Sequence, residues 1–119
     1  MLGRSELGPL RVGHPSQDQV AHAWIEFQGT GTPAATRSHN VSSITDDGAG
    51  LYTLTWTRPF AVTTYALAGV VGSNTADDSG YVAIKNGTSL TRSSAQVTTT
   101  INQTTADPQQ ICLIAYGVW

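Results

Sequence analysis

Residues 23–56 read AWIEFQGTGTPAATRSHNVSSITDDGAGLYTLTW, and the alternation within this stretch decides the fold class. In its last segment Tyr52, Leu54 and Trp56 fall on one side of an extended chain and threonines 53, 55 and 57 on the other. That period of two marks a strand with one buried face. Upstream, Ala21, Ala23, Ile25 and Phe27 alternate with Val20, His22, Trp24, Glu26 and Gln28, so residues 20–28 are predicted to form a strand that buries the first set. Gly29 to Pro33 reads as a turn. Residues 34–44 read as one strand, and residues 45–50 as the next turn, with Asp47-Gly48 as its hairpin signal.

The remaining sequence continues in the same style. Arg58-Pro59 ends the strand at 51–57, because proline cannot donate to a ladder. Residues 63–71 read as a strand and 72–80 as a polar loop. Residues 81–85 are expected to pair with 89–92 across Asn86-Gly87. Residues 94–102 set Ala95, Val97, Thr99 and Ile101 against Gln96, Thr98 and Thr100, and residues 111–119 close the domain. About eight short strands with turns every ten residues or so predict an all-β fold, an antiparallel β-sandwich or jelly roll spanning residues 20–119. Residues 1–19 differ. Gly3, Gly8, Pro9, Gly13 and Pro15 interrupt any helix there, which predicts an extended N-terminal arm. Its apolar Leu2, Leu7, Leu10 and Val12 are candidates for contact with a partner protein, the competing reading being a frayed terminus.

Composition narrows the function. Charged residues are 12% of the chain, about half the usual share, and 17 Thr and 10 Ser supply the missing polarity. A net charge of −2 with six scattered basic residues gives no footprint for a nucleic acid backbone. The chain lacks an apolar run of the ~18 residues that span a bilayer, and its first residues lack a signal-peptide core, so synthesis in a cytoplasm without membrane insertion is expected. The single lysine, Lys85, leaves strand edges poorly protected. Neighbouring copies are therefore expected to cover them, most simply in a closed symmetric oligomer. Trp119, after an apolar strand, must pack into its own core or against a neighbour, with the core favoured. Cys112, inside an apolar run, reads as a buried thiol.

No constellation reads as catalytic. His14, His22 and His39 have no zinc spacing. Asp46-Asp47 and Asp77-Asp78 suggest a carboxylate pair, but adjacent aspartates on a strand face opposite ways, and Gly-rich turns use Asp for side-chain to backbone hydrogen bonds. With Ser73, Asn74 and Thr75 these aspartates could ligate Ca²⁺, yet no twelve-residue calcium loop is present, and neither metal nor cofactor is expected. Asp46, Asp47, Asn74, Asp77 and Asp78 remain candidates for loops that face a ligand. Trp24, Tyr52, Trp56, Tyr65 and Tyr81 would form a sugar-stacking platform if solvent-facing, with core packing the favoured use.

The segments AWIEFQGTGT (23–32), HNVSSITDDGAGLYTLTW (39–56) and YALAGVVG (65–72) together resemble the β-module of virion structural and tail-fibre-type proteins of tailed bacteriophages. The resemblance extends over nearly all of residues 20–119. It implies a non-enzymatic, symmetric β-domain on the particle, as a homotrimer. A shaft of coiled-coil or collagen-like repeats, normal in a complete receptor-binding fibre, is missing from the sequence. Head decoration or a small appendage docked by the arm on other virion proteins is therefore expected first. A fibre tip or carbohydrate-binding module recognising host surface glycan is the alternative.

Overall fold

The computed structural model describes residues 20–72, 80–86 and 90–118. Among them are nine strands: β1 (Ala21–Gln28), β2 (Ala34–His39), β3 (Val41–Gly48), β4 (Leu51–Trp56), β5 (Ala66–Gly72), β6 (Gly80–Ile84), β7 (Ser94–Ile101), β8 (Thr104–Thr105) and β9 (Gln110–Tyr116). They form two antiparallel sheets, one ordered β2-β1-β9-β5 and the other β3-β4-β7-β6 with β8 paired to β7. The result is the expected β-sandwich. In its core Ala23, Ile25 and Phe27 of β1 face Tyr52, Leu54 and Trp56 of β4 with Ala95 and Val97 of β7, the alternate sets read from the sequence, and Ile111, Leu113 and Ala115 of β9 join them.

Each end of the core is tied by a tyrosine hydroxyl. Tyr52 is fully buried, edge-on to Phe27 at 5.3 Å, and its hydroxyl lies 2.8 Å from an Asp107 carboxylate oxygen and 3.1 Å from the Gly29 carbonyl. The same Asp107 oxygen accepts the Gly50 N–H at 2.7 Å, so one carboxylate joins the β3–β4 turn to the segment before β9. Gly50 adopts φ 65°, and a Cβ there would stand 2.6 Å from the Thr99 carbonyl oxygen and 2.7 Å from the Ala106 nitrogen, which reserves the position for glycine. At the other end Phe60 stacks on Tyr65 at 3.8 Å. The Tyr65 hydroxyl accepts from Trp56 Nε1 at 3.2 Å and lies 2.9 Å from the Thr91 and Ser94 carbonyls. Burial pushes both phenols above their ordinary pKa.

Several expectations change. Residues 34–44 are two strands in different sheets, because Asn40 takes a left-handed conformation (φ 59°) and turns the chain from one layer to the other. Its amide holds the corner: Oδ1 accepts the Arg58 N–H at 2.6 Å and Nδ2 donates to the Arg58 carbonyl at 3.0 Å. Asparagine tolerates this conformation where a β-branched residue would not. The predicted turn at 45–50 is mostly strand, since β3 runs to Gly48 and the ladder slips one residue between Asp46 and Gly48. A bulge absorbs the Asp-Gly signal and leaves a turn at Ala49 and Gly50. β5 starts at Ala66 because Tyr65 turns into the core. β6 pairs with β7, from Gly80↔Ile101 to Ile84↔Val97, and among the described residues of the expected partner segment 89–92, Leu90 makes only a bridge to Ala95. The arm at 1–19 with its Leu2, Leu7, Leu10 and Val12, the loop carrying Asn74, Asp77 and Asp78, the Gly87 turn position, His14 and Trp119 lie outside the described residues.

The sequence also hid a hairpin. β7 and β8 are joined by Asn102 (φ 52°) and Gln103 (φ 67°), a two-residue connection with both residues left-handed. Gln103 is strained there. Gln103→Gly should raise the free energy of unfolding by about 0.5–1 kcal/mol in urea titrations. Asp107→Ala, which removes the acceptor for both Tyr52 and Gly50, should lower it by about 2–4 kcal/mol with the same native far-UV spectrum.

Candidate functional site

The two outer faces of the sandwich differ in chemistry. On the β3-β4-β7-β6 sheet, strict alternation sends Thr53 and Thr55 of β4 and Ser94, Gln96 and Thr98 of β7 outward. Asp47 joins this surface, its carboxylate accepting from Thr53 Oγ1 and from Gln96 Nε2 at 3.0 Å. On the β2-β1-β9-β5 sheet the outward positions are Trp24 and Glu26 of β1, Cys112, Ile114 and Tyr116 of β9, and Ala66, Ala68 and Val70 of β5. Val70 is 66% exposed and Ile114 38%. This second face is apolar although it points away from the core.

Its layout follows from register. One cross-strand row reads His39, Trp24, Ile114, Ala68 and the next reads Arg37, Glu26, Cys112, Val70. Apart from His39, these residues line a shallow depression of about 480 Å³. Glu26 and Arg37 form an ion pair at 3.1 Å, Gln110 Nε2 donates to the other Glu26 oxygen, and the Arg37 guanidinium lies 5.9 Å from the centre of the Trp24 ring. The face therefore presents a hydrocarbon centre and one neutralised pair of charges. Cys112, expected to be buried, is half-buried on the floor of this depression, because its position in β9 has outward parity. Burial, then the Glu26 charge, pushes its thiol above the ordinary pKa, with Arg37 opposing. The arrangement can exclude water against another apolar surface.

The sequence candidates do not converge on one site. Asp46 and Asp47 were expected in a loop; they lie on β3, where strand alternation sends them apart. Asp46 Oδ1 caps the Gly48 N–H at 3.1 Å while Asp47 crosses the outer face. The aromatic platform is dispersed. Tyr52, Trp56 and Tyr65 are core, whereas Trp24 and the 57% exposed Tyr81 lie on different sheets. Among the described residues no three His, Cys, Asp or Glu side chains are grouped to hold a metal ion. The apolar face itself went unnoticed, although β5 and β9 carry its signal as consecutive apolar residues, ALAGVV and ICLIA, where a strand with one wet face would alternate.

A separate cavity of about 440 Å³ is lined by His22, His39, Asn40, Thr57 and Arg58. His22 occupies the extra position of a bulge between Ala21 and Ala23, which turns it inward to 1% exposure against the Phe60 ring at 4.0 Å. Its Nε2 donates to the Arg58 carbonyl at 2.8 Å. Burial holds its pKa below 6.5; the carbonyl contact opposes this, and the charges of Arg58 and His39 reinforce it.

No family model, curated protein or solved structure matches the chain.

The lowered pKa of His22 has a defined sign. Above the unfolded-state value of about 6.5 the imidazole is neutral in both states and contributes no pH dependence. Below it the unfolded chain takes up the proton first, so stability falls as pH drops from about 6.5 toward the folded value. Denaturation midpoints measured from pH 8 to pH 4.5 should show this slope, and His22→Gln should remove the part of it that begins near pH 6.5.

Proposed function

We propose that the chain is a structural protein of a tailed-bacteriophage particle. It is a small oligomeric β-domain, a homotrimer in the form the sequence resemblance implies, held on the virion surface by its N-terminal arm. Head decoration or a small appendage is the role that suits it. The observation carrying this reading is the contrast between the outer faces, one presenting hydroxyls and amides apart from Leu51 and Tyr81, and the other Trp24, Ala68, Val70, Ile114 and Tyr116. A wet face and a dry face on one sandwich define an outside and an inside within a larger object. The kind of object comes from the resemblance of residues 23–32 and 39–56 to phage particle modules.

The division of labour is then physical. The β-domain supplies a rigid block whose dry face is covered on assembly, and the arm, with Leu2, Leu7, Leu10 and Val12, supplies apolar anchors for a groove on another virion protein. Edge strands reinforce the need for neighbours. β2 and β5 border the dry-faced sheet without lysine or proline along their length.

Deleting residues 2–13 should abolish attachment to particles while leaving the thermal midpoint of the β-domain within about 2 °C of the full chain, a shift below that of a 1 kcal/mol change. Particle pull-down and scanning calorimetry check the two halves. Full occupancy by the deleted chain would overturn the docking role of the arm. A glycan array that binds the protein through the Asp46–Asp47 strand would favour the receptor-tip alternative.

A further inference from the structure

Resting on that reading, we infer that the outer face of the β2-β1-β9-β5 sheet is where one copy of this chain packs against another. Three observations select a second copy as the occupant. The first is composition. β9 and β5 are apolar on both sides, as strands are when both of their faces are covered.

The second is charge. On this face Glu26 and Arg37 supply one charge of each sign, side by side in one cross-strand row and already paired. A face of a single sign would repel its own copy, whereas a neutral one of mixed sign can meet itself. A strongly charged partner would find no counter-charge on it. Arg37, whose side chain is 72% exposed, can keep its bond to Glu26 and still reach across to a neighbour.

The third is size. The three strands β1, β9 and β5, about 4.8 Å apart and about seven residues long, cover roughly 330 Å² in projection. A standard interface takes about 800 Å² from each partner, built as an apolar core inside a polar rim. The dry patch matches such a core, and Arg37, Gln28, Gln110 and the fully exposed strand β2 supply the rim. The depression between Trp24 and Val70 gives the patch relief for side chains of the facing copy to enter.

The test uses the full chain alone, without particles. Sedimentation across ~1–100 µM should give a mass that is a multiple of 12.5 kDa. Val70→Asp and Ile114→Glu each place a carboxylate in the patch and should raise the dissociation constant at least about tenfold. Thr55→Glu on the wet face should leave it unchanged. Far-UV spectra establish that each variant is folded, and Val70, on an edge strand and mostly exposed, is the substitution least able to disturb the core. Cys112 gives a second readout: its modification by a thiol reagent should slow with rising concentration of the wild-type chain and not of the variants.

Three outcomes would overturn the inference. A wild-type chain of single-copy mass with concentration-independent Cys112 modification would do so, whether the face is left bare or covered by the chain's own residues 1–19. Association unaffected by either carboxylate would move the interface elsewhere. Association seen only on adding another virion protein would give the face to that protein. Self-association without particle binding would keep this interface and remove the virion role; particle binding by single copies would do the reverse.

Discussion

The burial of β1 and β9 against β4 and β7 is the constraint from which the rest of the molecule follows. Each strand in this contact contributes every second residue, so two sheets form one dry layer with Tyr52, Leu54 and Trp56 on one side and Ile25, Phe27 and Leu113 on the other. The ends of that layer need polar closure, because a buried phenol without a partner costs about 1–3 kcal/mol. Asp107 and the Gly29 carbonyl provide it for Tyr52, and the Thr91 and Ser94 carbonyls with Trp56 provide it for Tyr65.

Once the inner layer is built, the outer positions have no freedom left. In β4 and β7 they are threonine, serine and glutamine, which water can solvate, with Leu51 the apolar exception. In β9 and β5 they are chiefly isoleucine, cysteine, alanine, valine and tyrosine, which it solvates poorly, with Gln110 the polar exception at the strand end. The fold thereby turns a difference in strand composition into a difference between two surfaces about two sheet thicknesses apart. The functional proposals rest on that asymmetry and not on any single reactive group.

The core was legible in particular residues. Ala23, Ile25 and Phe27, then Tyr52, Leu54 and Trp56, then Ala95, Val97 and Ile101 were assigned by alternation and are buried, whereas Ala21, assigned with the first set, is only half-buried because the bulge at His22 pairs it with the outward Tyr116. Legibility failed where one residue breaks the period. The bulge at His22 sends a residue of the wet set inward, Asn40 divides one apparent strand between two sheets, and the bulge at Asp47 absorbs a hairpin signal into a strand. Each is a one-residue change in parity, and parity errors are invisible to a pattern that counts only every second residue. Cys112 was misplaced for a different reason. An apolar run says that both faces of a strand are dry without saying which residue faces which way.

Sequence by itself determined an all-β domain, its buried alternate set and its shortage of charge, because strand periodicity and composition are local properties of the chain. Only the tertiary structure decided that β9 lies between β1 and β5, which places Trp24, Cys112, Val70 and Ile114 on one surface. Those residues come from three strands up to 90 positions apart. Their neighbourhood is set by strand order and register, and these arise from the mutual fit of two whole sheets, which no local stretch of the chain encodes.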